Sequence, residues 1–123
     1  MKYKNIQMEI MLETLKPLLP HRDKIGYIAA RNTRILNDTL TEYFTFKSDL
    51  IKKYGEPDKD ENGNELDTIS VKPNSKNFSE FVKEFDTIKN IEHEVNLMTI
   101  KYDEVIGLLN GEEILSLDWM LCE

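Results

Sequence analysis

At 123 residues and 14.4 kDa the chain is long enough for one self-sufficient core and too short for two ordinary domains. Hydrophobic residues make up 40% and charged residues 32%, which excludes a disordered tail and points to a highly charged globular protein. The net charge of -7 is unevenly placed: residues 1–54 carry ten Lys or Arg against six Asp or Glu, residues 55–123 six against seventeen. The last 21 residues hold six carboxylates and no cation. Phosphate is therefore tolerable only toward the N-terminal half, and direct nucleic-acid binding is not expected. The acidic half suits a basic partner or the basic half of a second copy.

No apolar run approaches the roughly 20 residues of a membrane span, so no membrane association is expected. The opening MKYKNIQMEIML is interrupted by Gln7, Glu9 and Glu13, unlike a signal-peptide core. A single cysteine, Cys122, excludes an internal disulfide and fits a reducing compartment.

In chain order, Ile6, Ile10, Leu15 and Leu18 lie near a helical period, predicting a helix over 5–17 that Pro17 and Pro20 stop. From 23 to 54 there is no proline, and Ile25, Ile28, Ala29, Leu36, Leu40, Tyr43, Leu50 and Tyr54 follow the 3.6-residue period. That predicts one long helix, about 45 Å at 1.5 Å per residue, which needs an equally long partner and so implies an oligomer. Gly55 and Pro57 end it, and Asn62-Gly63 predicts a two-residue type I′ turn in a polar hairpin over 56–71. Asn77 with Glu80 resembles a capping box that opens a helix over 78–90, with Phe78, Phe81 and Phe85 on one face. Alternation through Ile91, His93, Val95 and Leu97 predicts a strand over 91–101, whose natural partner is the hairpin. Short helices over 103–121 complete one domain, 1–123, of mainly helical α+β class with a small antiparallel sheet.

Chemistry is sparse. Asp58-x-Asp60-x-Asn62-Gly63 begins like a calcium loop, but the twelfth position is Ile69, which cannot ligate. His21 and His93 have no ligand-spaced partners, so no metal site is expected, and Cys122 has no evident base. No phosphate loop, nucleophile elbow or HExxH is present; no cofactor and no enzymatic activity are expected. The best candidate surface is Lys24, Tyr27, Arg31 and Arg34, at spacings of three and four, where two guanidinium groups could clamp a phosphate beside a stacking ring. The competing expectation is a solvated stripe paired with Asp23, Asp38 and the acidic half.

The runs ARNTRILNDTLTEYFTFKSDLIKKYGEPDKDENGN, NFSEFVKEFDTI, IEHEVNLMTI and ILSLDWML resemble an uncharacterised family of small phage and prophage proteins of Gram-positive bacteria. The resemblance covers about residues 12–121, with departures at Asp67–Lys76 and in an N-terminal helix where that family would have a strand. It implies a phage origin and carries no catalytic residue. The resulting expectation is an oligomeric, non-enzymatic binding protein of the host cytoplasm that interferes with host immunity. It would do so by sequestering an anionic nucleotide signal or by blocking a basic host protein surface. The alternative is a virion structural or assembly protein.

Overall fold

The computed structural model describes residues 1–123 and shows the mainly helical α+β class expected. Contacts gather into two compact units: unit 1 is Met1–Leu40 with Glu92–Glu123, and unit 2 is Thr41–Ile91.

Unit 1 opens with strand β1 (Lys2–Lys4), helix α1 (Asn5–Leu15) and a 3-10 turn over Lys16–Leu18 that carries Pro17. Gln7 Oε1 accepts from the Lys4 amide at 2.8 Å and satisfies a donor that the first turn leaves free. The buried face of α1 is Met8, Met11, Leu12 and Leu15, while Ile10 is exposed. Of the aliphatic period, Leu15 and Leu18 are fully buried and Ile6 is half-buried; only Ile10 faces outward, and Met8 and Met11 fill the core beside Leu15.

Helix α2 (Lys24–Thr39) is started by Asp23, whose Oδ1 accepts from the amides of Ile25 (3.0 Å) and Gly26 (3.4 Å). It buries Ile25, Ile28, Ala29, Asn32 and Leu36 against α1 and the rest of unit 1. The long helix expected over 23–54 is instead two, divided at Leu40. The Thr39 hydroxyl donates back to the Ile35 carbonyl at 2.8 Å in the last turn of α2. Leu40 is fully buried and the Leu40 amide closes α2 on Leu36 at 2.9 Å.

The strand expected over 91–101 survives only as β4 (Glu92–Glu94) and β5 (Ile100–Lys101). Its partner is not the hairpin. β4 pairs antiparallel with β1, His93 opposite Tyr3, and β5 runs parallel to β6 (Leu121–Cys122). Between them residues 95–99 join no ladder. Three separate two-stranded pairs stand in place of one small sheet. The C-terminal part adds α5 (Tyr102–Val105), α6 (Gly111–Ser116) and a 3-10 turn over Asp118–Met120. Asn110 and Glu113 cap α6 reciprocally, at 2.8 and 3.0 Å. Val105, Leu117 and Met120 are fully buried and bind this segment to the core.

Unit 2 holds α3 (Thr41–Tyr54), the hairpin β2 (Glu56–Lys59) and β3 (Glu65–Ser70), and α4 (Phe78–Lys89). The hairpin forms in the expected place, but its turn differs. Gly63 alone has positive φ (83°), so the type I′ geometry is absent. Asp60 Oδ1 instead gathers the amides of Asn62 and Asn64, both at 2.9 Å, into a longer loop. Asn77 precedes α4 without capping it through its side chain. The phenylalanine face of α4 is half-buried: Phe81 and Phe85 pack edge to face at 5.6 Å, and Tyr43 of α3 lies 6.1 Å from Phe85. Tyr43 is the one well-buried side chain of α3, and α4 has none.

Candidate functional site

Helix α2 presents the four candidate residues on one solvent-exposed stripe, because positions 24, 27, 31 and 34 advance by three and four residues. Tyr27 is 62% exposed, and Lys24, Arg31 and Arg34 are exposed beside it. The spacing argument therefore places these side chains together, with one reservation at the N-terminal end. Lys24 Nζ is engaged with Glu104 at 2.9 Å. The hydrogen bond from Lys24 is the main reason that the Glu104 carboxyl sits below its ordinary value, the Lys101 amide adding to it. Here the basic and acidic stretches of the chain meet inside unit 1, as Lys53 and Glu84 do at 3.3 Å inside unit 2.

Asp23 does not neutralise the stripe either. Partial burial pulls its carboxyl upward, but the His21 imidazole at 3.5 Å and the amides of Gly26 and Ile25 outweigh that and hold it low. Asp38 follows Arg34 by one turn on the same face but is not at ion-pair distance from it. Neither guanidinium has a carboxylate partner. The free charge of the stripe is thus two guanidinium groups tempered by one nearby carboxylate.

Arg34 also lines a broad, open depression of about 420 Å3 with Leu19, Ala30, Thr33, Asn37 and Asp38. Its floor includes the Thr33 hydroxyl, which is buried and has no hydrogen-bond partner. Sequence reasoning missed Thr33 because a threonine inside a helix ordinarily returns its hydroxyl to the carbonyl four residues back.

It missed Asn32 as well, the fully buried polar residue of α2. Its Oδ1 accepts from the Met98 amide at 2.8 Å and its Nδ2 donates to the Met98 carbonyl at 3.0 Å. The side chain thus acts as a short strand for the unladdered segment 95–99. The signal available was an amide placed in the middle of the Ile25–Ile28–Leu36 stripe.

Asp58 accepts from Ser70, from Thr68 at 2.7 Å and from Lys72 at 3.1 Å. The Ser70 bond foremost, then Thr68 and Lys72, depress its carboxyl to about 2. The oxygens of the calcium-like sequence are therefore turned onto the hairpin and its own loop. No three His, Cys, Asp or Glu side chains converge as a metal cluster. No helix is long and apolar enough to cross a membrane. No family model, curated protein or solved structure matches the chain, so the residues themselves carry the functional reading.

Proposed function

We propose that the protein is a non-enzymatic binding protein whose α2 stripe takes a small, singly charged organic anion such as a nucleotide phosphodiester. The observation that carries this reading is the exposed pair Arg31 and Arg34, three residues apart, unpaired by carboxylate and flanked by Tyr27. Two guanidinium groups tempered by Asp38 favour one negative charge over a polyphosphate, and the tyrosine ring offers a face to a base. The test is titration with a cyclic mononucleotide and with ATP. The cyclic ligand is expected to shift the Arg31 and Arg34 resonances saturably, and the double substitution Arg31→Ala with Arg34→Ala to remove the effect. Unchanged affinity in the double variant would overturn the reading.

The resemblance to small phage proteins supports placing this binder in an infected bacterial cytoplasm, where capture of a nucleotide signal would blunt host immunity. Such a protein is expected to raise phage yield on a host with the defence and to be dispensable on one without it. Blocking a basic host surface is supported by the segment 92–123, with eight carboxylates against one cation. Self-association loses its original premise, since the 45 Å helix does not exist. What now supports it are apolar side chains left in solvent, Leu115 at 80% and Ile106 at 68% exposure. Those same side chains favour the virion-assembly alternative, which predicts co-purification with particles.

A further inference from the structure

The chain holds two Asn-Gly pairs, Asn62-Gly63 and Asn110-Gly111, and every other asparagine precedes a residue with a side chain. A glycine lacks Cβ, so its amide nitrogen can approach the side-chain carbonyl of the preceding asparagine closely enough to form a succinimide ring. A Cβ at either Gly63 or Gly111 would meet nothing within 4 Å, so any difference between the pairs lies in the asparagines. Asn110 is the N-cap of α6. Its Oδ1 accepts from the Glu113 amide at 2.8 Å, its own amide donates to Glu113 Oε1 at 3.0 Å, and its carbonyl accepts from the Ile114 amide at 3.0 Å. Carboxamide and backbone are both held, and the ring cannot close until the cap opens. Asn62 instead lies at the exposed tip of the hairpin, between β2 and β3. Its amide donates to Asp60 Oδ1, but its carboxamide has no hydrogen-bond partner. The Gly63 amide donates to the Asp60 carbonyl at 3.0 Å, a bond at a solvent-exposed turn where water can replace the acceptor.

We propose that Asn62 is a site of spontaneous deamidation through a succinimide formed with Gly63, and that the α6 cap withholds Asn110 from the same reaction. The Gly63 amide nitrogen gives up its proton and attacks Asn62 Cγ; the Cγ–Nδ2 bond breaks, and the nitrogen leaves as ammonia with that proton. Solvent water then adds to one of the two ring carbonyls and breaks its bond to the Gly63 nitrogen. Opening at Cγ yields aspartate in the normal linkage, and opening at the main-chain carbonyl yields isoaspartate. No oxidant or reductant takes part. Either product adds a carboxylate to a hairpin that already carries Asp60, Glu61 and Glu65. The isoaspartyl form also lengthens the main chain inside the loop that Asp60 Oδ1 closes on the Asn62 and Asn64 amides.

The test ages the full chain at mildly alkaline pH, in native buffer and in unfolding guanidinium chloride, and follows the exchange of NH2 for OH at each pair by peptide mass spectrometry. In native buffer Asn62 is expected to convert at least about fivefold faster than Asn110, because the cap must open before Asn110 reacts. In guanidinium chloride, where no cap survives, the two rates are expected to converge. Asn62→Gln, whose longer side chain requires a larger ring, is expected to leave the native hairpin unconverted. Equal conversion at both asparagines in native buffer overturns the proposal. So does a native chain that keeps Asn62 intact while the unfolded chain converts it. A rate ratio that persists unchanged in guanidinium chloride also overturns it, since the selectivity would then come from neighbouring residues and not from the cap.

Discussion

Asn32 illustrates how one side chain can hold a segment that no strand holds. It presents an acceptor and a donor in amide geometry, and Met98 receives both as though from a neighbouring strand. Asn32→Leu keeps most of the volume and removes both bonds, leaving the Met98 amide and carbonyl without their partner. A loss of about 2–4 kcal/mol is expected from the urea midpoint at unchanged slope. Asn32→Asp retains the acceptor but buries a charge against the Met98 carbonyl, and is expected to cost at least as much at neutral pH. Asp58 is a second case, on the hairpin. Its folded carboxyl titrates near 2 against an ordinary 3.8, so its contribution is present above about pH 4 and disappears as pH falls toward 2. Amide exchange in β3 is expected to accelerate across that window, normalised for intrinsic rate, and Asp58→Asn to remove the pH dependence. Flat protection in the native protein would contradict this.

Among the elements, the start of α2 is the most tightly constrained. A Cβ at Gly26 would overlap the His21 carbonyl oxygen, part of the backbone turn that leads into the helix. Gly26→Ala, a change that elsewhere favours helices, is therefore expected to destabilise by about 1–3 kcal/mol in thermal unfolding. A neutral or stabilising result would mean that the turn yields. Element existence was largely legible in the chain: α1, the hairpin and α4 stand where period, proline and turn residues put them. Partnership was not. The alternation from Ile91 to Leu97 identifies an extended segment, but nothing in Glu92–Glu94 states that its mate is Lys2–Lys4 rather than the nearer hairpin. Nor does periodicity register the Leu40 break, because the apolar positions continue in step across it. The α2 stripe was readable, since helical spacing is local geometry. The depression beside Trp119 was not, since its walls come from Met1, Tyr3, Val95, Asn96, Leu97, Thr99 and Trp119, far apart in the chain.

Taken as a whole, the molecule is unevenly consolidated. Unit 1 contains nearly all the well-buried side chains, among them Met8, Leu15, Ile28, Leu36 and Met120, each worth about 1.5–3 kcal/mol when shielded from water. Unit 2 relies on the half-buried cluster of Tyr43, Phe81 and Phe85, with Lys47 lying 5.6 Å from the Phe85 ring centroid. Native-state hydrogen exchange is therefore expected to show 41–91 opening at lower free energy than 24–39, as a separate cooperative unit. Equal protection in both would show a single cooperative fold. Light scattering tests association at the same scale. A mass above 14.4 kDa that reverts to the monomer on Leu115→Lys is expected if the exposed C-terminal side chains pair.

The order in which unit 1 is assembled along the chain has a consequence for its synthesis. Met8, Leu15 and Leu36 leave the ribosome early, but Leu117 and Met120, which complete the same core, follow more than 70 residues after Leu40. The nascent chain thus carries an uncovered greasy helical pair while all of 41–91 is translated. Unit 1 cannot close until 92–123 has followed, and in that interval its first 40 residues keep apolar surface uncovered.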